Sequence, residues 1–178
     1  MVRNVLDDER LTAIGLLFEV HQGLTRRLAD QLGEHGLPPA EFEVLLRLAR
    51  SPEGRLRMSD LADQVGLSTS GLTRLVDRLE RRRLAERAAC PTDRRGAFAV
   101  VTAEGRRLVE TAVAGHLELV ERWYTGLLDD GELAALTAAL RKVRAAVHPG
   151  AAAGSSEDPG CPTPEEAGTG ARRRGRGC

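Results

Sequence analysis

The side chains best suited to chemistry in this chain lie between Ser68 and Arg95. Ser68, Thr69, Ser70 and Thr73 place four hydroxyls in six residues, and Arg74 and Arg78 follow four residues apart. Hydroxyls both donate and accept hydrogen bonds, while a guanidinium only donates, in a planar fork that matches phosphate and base edges. A second group, Asp93, Arg94 and Arg95, carries two more guanidiniums beside a carboxylate able to hold one extended. The shared chemistry is non-covalent recognition of an anionic, hydrogen-bonding surface. No nucleophile–base pair, phosphate loop or metal-ligand cluster stands in the chain, so an enzyme is not expected. The four His, at 21, 35, 116 and 148, lack a spacing such as His-Glu-x-x-His, and neither a metal nor a cofactor is expected.

The elements that position these groups follow from periodicity. Leu61, Ala62 and Val65 mark a short helix with Ser59 as its expected N-cap, and Gly66 supplies the freedom its C-terminus needs. Ser68 is placed to cap a second helix, whose Leu72, Leu75, Val76 and Leu79 repeat at helical spacing while the hydroxyls and arginines take the other face. Two helices joined by a tight turn make a helix-turn-helix, whose second helix enters the major groove of DNA. Beyond Arg83, Leu84–Cys90 and Ala97–Thr102 read as strands around a turn at Pro91–Gly96, a hairpin or wing with Arg94 and Arg95 at its tip, within reach of a minor groove. The residues expected on DNA are Ser68, Thr69, Ser70, Thr73, Arg74, Arg78, Arg94 and Arg95, with Asp93 supporting the wing. For Arg78, pairing with Asp77 or Glu80 on a solvated face is the alternative.

The run LADQVGLSTSGLTRLVDRLERRRLAER followed by PTDRRGAFAVVTAEG resembles the MarR family of winged-helix transcriptional regulators. Asp93-x-Arg95, the apolar strand and Thr102-Ala-Glu-Gly105 are similar to that family's wing signature. With FEVLLRLA before and GELAALTAALRKV after, the resemblance covers roughly residues 10–148. It implies a sequence-specific regulator, most often a repressor, and terminal helices that interleave between two subunits. It also implies release by a small aromatic or phenolic acid in a cleft, for which His21 and Trp123 are the candidate contacts. A core histidine with one satisfied hydrogen bond is the commoner reading of His21. Gly71, early in the second helix, and Arg83, where the family usually has Gly, depart from the pattern.

The rest of the chain frames this unit. Formal net charge is zero, yet Ser68–Arg95 holds eight Arg against four acids, a basic patch on a balanced body. No apolar run reaches membrane-span length and no signal-peptide layout opens the chain, so a cytoplasmic protein is expected. Residues 1–34 and 104–148 are expected to be dimerisation helices. The first carries a stripe of Ile14, Phe18, His21, Leu24, Leu28 and Leu32; a second runs from Thr102 to about Leu128; a last one follows Asp129, with Leu133, Leu136, Leu140, Val143 and Val147 inward. Their apolar faces exceed what the small winged unit, residues 35–103, can cover, and a homodimer buries the surplus. Residues 149–178 hold no Val, Ile, Leu, Met or aromatic and are expected to be a disordered tail. The expected fold is mainly α with a small β-wing. The expected function is a homodimeric DNA-binding regulator on a pseudo-palindromic site. The competing readings are a winged-helix protein-interaction module and a redox-responsive regulator built on Cys90, with Arg87, Arg94 and Arg95 lowering its thiol pKa.

Overall fold

The computed structural model describes residues 5–90 and 93–152; residues 1–4, 91–92 and 153–178, and the side chains of Cys90, Asp93, Arg94 and Arg95, lie outside the described part. The fold is mainly helical, with one three-stranded antiparallel sheet. Its order is α1 (Glu9–Glu34), α2 (Pro39–Arg50), β1 (Arg55–Arg57), α3 (Met58–Val65), α4 (Thr69–Arg81), β2 (Ala85–Cys90), β3 (Asp93–Val101), α5 (Ala103–Trp123) and α6 (Asp130–Val147). Side-chain oxygens start four of the helices. Asp8 accepts from Arg10 N, Ser68 from Gly71 N and Thr102 from Gly105 N; Asp129 and Glu132 form a reciprocal capping box.

The core belongs to the winged unit. Leu37, Val44, Leu45, Leu48, Leu61, Leu72, Val76, Leu79 and Ala99 are fully enclosed, joined by Leu32 from the end of α1 and by Val109 and Ala112 of α5. The sheet has order β1–β3–β2, with Leu56 opposite Ala99 and Arg87 opposite Ala99 on the other side. Beyond this core the terminal helices stand largely bare. Of the α1 stripe only Leu32 is buried, Ile14 and Phe18 are exposed, and α6 buries no residue at all within the protomer.

Four local expectations change. Ser59 does not cap α3: β1 runs straight into the helix, Arg57 takes the extended cap position, and the Ser59 hydroxyl donates to Asp60 instead. The strand expected from Ala97 begins at Asp93, because pairing with β2 continues to Ala89 opposite Ala97 and, past a bulge, Cys90 opposite Asp93. Arg94 and Arg95 therefore lie in the backbone of β3, not in a turn. The helix expected to reach Leu128 stops at Trp123, where Tyr124 leaves helical geometry and a 3-10 turn, Thr125–Leu127, follows.

The fourth change concerns the start of the tail. Pro149–Ala152 form a 3-10 turn that docks on α3. Ala151 is buried, its carbonyl accepts from Arg47 Nη1 at 3.3 Å, and His148 Nε2 donates to the Asp63 carbonyl at 2.7 Å. A small Ala side chain and backbone hydrogen bonds suffice where no large apolar residue is present. The rest of the expected tail, 153–178, lies outside the described residues.

Candidate nucleic-acid interface

The geometry begins at Gly66, which ends α3 in the left-handed conformation at φ 64°, a backbone state glycine adopts without steric cost. The chain turns through Leu67 and extended Ser68 into α4. Ser68 Oγ accepts Gly71 N at 3.1 Å and lies 3.2 Å from Ser70 Oγ. The back of α4 is closed, with Leu72, Leu75, Val76 and Leu79 all buried. Burying four such side chains contributes about 1.5–3 kcal/mol each. Against that, Gly71 costs this helix only about 1 kcal/mol relative to Ala. The front is open: Ser68, Thr69, Ser70 and Arg74 are exposed and Thr73 is half-buried. The helix N-terminus adds a partial positive charge on the same side. Arg74 makes no ion pair among the described residues, so its guanidinium is available.

Two ionic brackets hold the lower half of α4. On one side the buried carboxylate of Glu41, from α2, accepts Arg78 Nε at 3.1 Å and Arg82 Nη1 at 2.5 Å, and Arg82 Nη2 also reaches the Gly36 carbonyl. Arg78 thus turns toward α2 and pairs with neither Asp77 nor Glu80. On the other side Arg87 of β2 takes both of those acids. Its Nη2 lies 2.6 Å from Asp77 Oδ1 and its Nη1 2.5 Å from Glu80 Oε2, while its backbone N–H donates to Glu80 Oε1 at 2.9 Å. Glu41, Arg82 and Arg87 were not singled out as site residues by periodicity, which carries no information on pairs so far apart in the chain.

The wing is completed by β1. Arg55 and Arg57 lie over the Phe98 ring, 5.1 and 5.6 Å from its centroid. Arg83, which stands in the usual glycine place, adopts φ 59°, and its carbonyl accepts the Thr102 hydroxyl at 2.7 Å. The side chains of Asp93, Arg94, Arg95 and Cys90 fall outside the described part. Arg87, expected near Cys90, is committed to Asp77 and Glu80.

The two candidate ligand contacts lie apart. His21 lines an open groove of α1 with Phe18, Gln22 and Arg26, whereas Trp123 borders a separate depression with Val20, Leu24 and Arg27. Arg27 and Arg122 cover the Trp123 ring at 4.6 and 5.0 Å. A different pair stands out where α1 and α5 meet α2. Gln31 donates to the Ala112 carbonyl at 3.1 Å, but its Oε1 is buried without a partner among the described residues, as is Nδ1 of His116. His116 packs on Phe42 at 4.8 Å, and burial holds its pKa below the usual histidine value. No group of three or more metal-ligating side chains forms among the described residues, and no helix there is long and apolar enough to cross a membrane.

This arrangement has close counterparts. A family model described as the MarR family matches residues 35–96. AbsC of Streptomyces coelicolor, a MarR family transcriptional regulator, is 33% identical; the match covers 81% of this chain and 97% of that one, with a TM-score of 0.75. The chain belongs to the MarR family. Among other MarR-family structures, Sco3205 of Streptomyces coelicolor, solved in complex with DNA, is 31% identical over 79% of this chain and 89% of its own, with a TM-score of 0.73. The transcriptional regulator MhqR of Bacillus subtilis is 28% identical over 138 residues, 78% of this chain and 93% of that protein. The relatives of this MarR-family protein are regulators of transcription, as the helix-turn-helix and wing led one to expect.

Proposed function

We propose that this MarR-family regulator works in the cytoplasm as a homodimer that reads a pseudo-palindromic DNA site and represses transcription from it. One observation carries the reading. The first turns of α4 present Ser68, Thr69, Ser70 and Arg74 outward, with Thr73 at their edge, while four apolar residues pin its back. Those groups suit the major groove, with hydroxyls and a guanidinium for base edges and phosphates. Arg94 and Arg95, supported by Asp93, are assigned to the flanking minor groove. Arg78, engaged by Glu41, is assigned a phosphate only through whatever donor its guanidinium keeps free.

Dimerisation is supported by the bare arms. Exposed Leu11, Ile14, Phe18, Val143 and Val147 offer apolar surface that the protomer's own core does not use. A two-fold dimer sets the two α4 helices about 34 Å apart, one turn of DNA. Regulation by a small molecule is supported by the unpartnered Gln31 Oε1 and His116 Nδ1 at the junction of arms and winged unit. A ligand that donates a hydrogen bond would answer the Gln31 oxygen, and His21 and Trp123 lie further along the arms. The test is fluorescence anisotropy on upstream DNA and on scrambled DNA across a salt series, beside sedimentation of the free protein. Specific binding is expected to exceed scrambled binding by about a thousandfold. Equal affinity for the two duplexes, or a monomer in sedimentation, would contradict the proposal.

A further inference from the structure

We propose that Arg87 is a positioning residue of the DNA-reading helix whose task is to mask the carboxylates of Asp77 and Glu80 from the phosphate backbone. The inference rests on the DNA-reading proposal and goes beyond it. At about 100° per residue, Asp77 follows Ser70 by two turns and lies within about 20° of it around the helix axis. It therefore shares the side of α4 that carries Ser70 and Arg74, while Glu80 lies below Thr73 on the flank. An unpaired carboxylate at either place would meet the phosphates as a like charge.

Arg87 removes that conflict from β2. One guanidinium bridges Asp77 at 2.6 Å and Glu80 at 2.5 Å, and its Nη2 also donates to the Thr73 carbonyl at 3.1 Å. The backbone N–H of the same residue holds the second Glu80 oxygen. The carbonyl of Thr73 and the carboxylates of Asp77 and Glu80 thus meet one residue along a single stripe. The three charged side chains are about a third exposed, and ion pairs so placed add little to folding. Their value lies in the field they present. With Arg78 and Arg82 drawn to Glu41, the unpaired guanidiniums of α4 among the described residues are Arg74 and, two turns on, Arg81, which two bare carboxylates would offset.

The experiment measures binding of wild type, R87Q, D77N/E80Q and R87Q/D77N/E80Q to upstream and scrambled duplexes of equal length at low salt. Phosphate repulsion needs no sequence, so scrambled DNA tests the mask. R87Q is expected to bind it about tenfold more weakly than wild type, with the gap narrowing as salt rises. Removing both carboxylates in that background is expected to restore affinity to within about threefold of wild type. Circular dichroism and sedimentation check that the variants keep fold and dimer. Should R87Q fail to fold, R87K serves: a lysine reaches one carboxylate, and a loss of about threefold, relieved by D77N/E80Q, is expected. Loss without relief would make Arg87 a phosphate contact or a mere strut and overturn the proposal, as would an unchanged R87Q. Preference of the wild type for upstream over scrambled DNA reports separately on the operator reading, and a wild type that binds neither duplex defeats both.

Discussion

Arg82 places Nη1 2.5 Å from Oε2 of Glu41, a carboxylate 41 residues earlier in the chain and 5% exposed. The pair fastens the C-terminal end of α4 to the first turn of α2. A buried carboxylate holding two guanidiniums leaves them without a counter-charge when it is neutralised, but both arginines retain access to water. Glu41→Gln is therefore expected to cost about 1–2 kcal/mol and not the larger penalty of a fully enclosed ion pair. Urea denaturation of the variant beside wild type measures it. An unchanged midpoint would remove Glu41 from the fastening.

Gly105 is fixed by a backbone contact. A Cβ built there would lie 2.0 Å from the Leu84 carbonyl oxygen, where no side chain can yield. Gly105→Ala must therefore push α5 off the segment joining α4 to β2, with an expected loss of more than about 3 kcal/mol. Gly71→Ala is the contrast. Its Cβ would crowd the Ser68 hydroxyl at 3.2 Å and meet Leu67 Cβ at an ordinary 3.9 Å, so gain in helix propensity and disturbance of the cap nearly cancel. Thermal melting of the two variants should separate them widely.

Ser68 and Arg74 divide cap from contact. Ser68→Ala removes the acceptor for Gly71 N and is expected to destabilise the fold by about 1 kcal/mol. Arg74→Ala should leave stability unchanged while weakening DNA binding and lowering the slope of log affinity against log salt by about one. Denaturation and anisotropy on the same two proteins test both halves. A stability loss in the Arg74 variant would assign that side chain to the fold.

His116 gives a pH dependence of definite sign. Burial against Phe42 lowers its pKa in the folded chain below the 6.5 of a free histidine, so the unfolded chain binds the proton more readily. Its contribution to stability is then complete above about pH 6.5 and declines as pH falls through that value toward the lower folded pKa. Unfolding midpoints from about pH 7.5 to about pH 5 should fall more steeply in wild type than in His116→Gln. Parallel profiles would refute the assignment.

The caps and turns of this fold were legible because they are local. Ser68, Thr102 and Asp129 each bond within three residues, and Gly66 ends its helix within its own turn. The glycine that the resembled family usually has at Arg83 pointed to a turn there, and Arg83 takes the positive φ itself. Ser59 misled because the same chemistry, a hydroxyl before an apolar run, arises two residues past the cap position when a strand feeds the helix directly. The brackets on α4 were not legible. Which carboxylate Arg78 chooses depends on α2 passing nearby, and Arg87 meets Asp77 and Glu80 only once β2 has folded back along the helix. The open face of α4 followed from periodicity; its charge balance follows from tertiary packing.

The turn at Pro149–Ala152 changes the mechanics of the protomer. α5 leaves the winged unit at Thr102, and the chain returns to it at His148, whose ring grips the last turn of α3. Leu32 of α1 and Val109 and Ala112 of α5 already seat the arms in the winged core from one side; His148 adds a clasp from the far end of α6. While that clasp holds, a displacement of α6 must carry α3 with it, so the last helix of the chain is yoked to the helix that precedes the recognition helix.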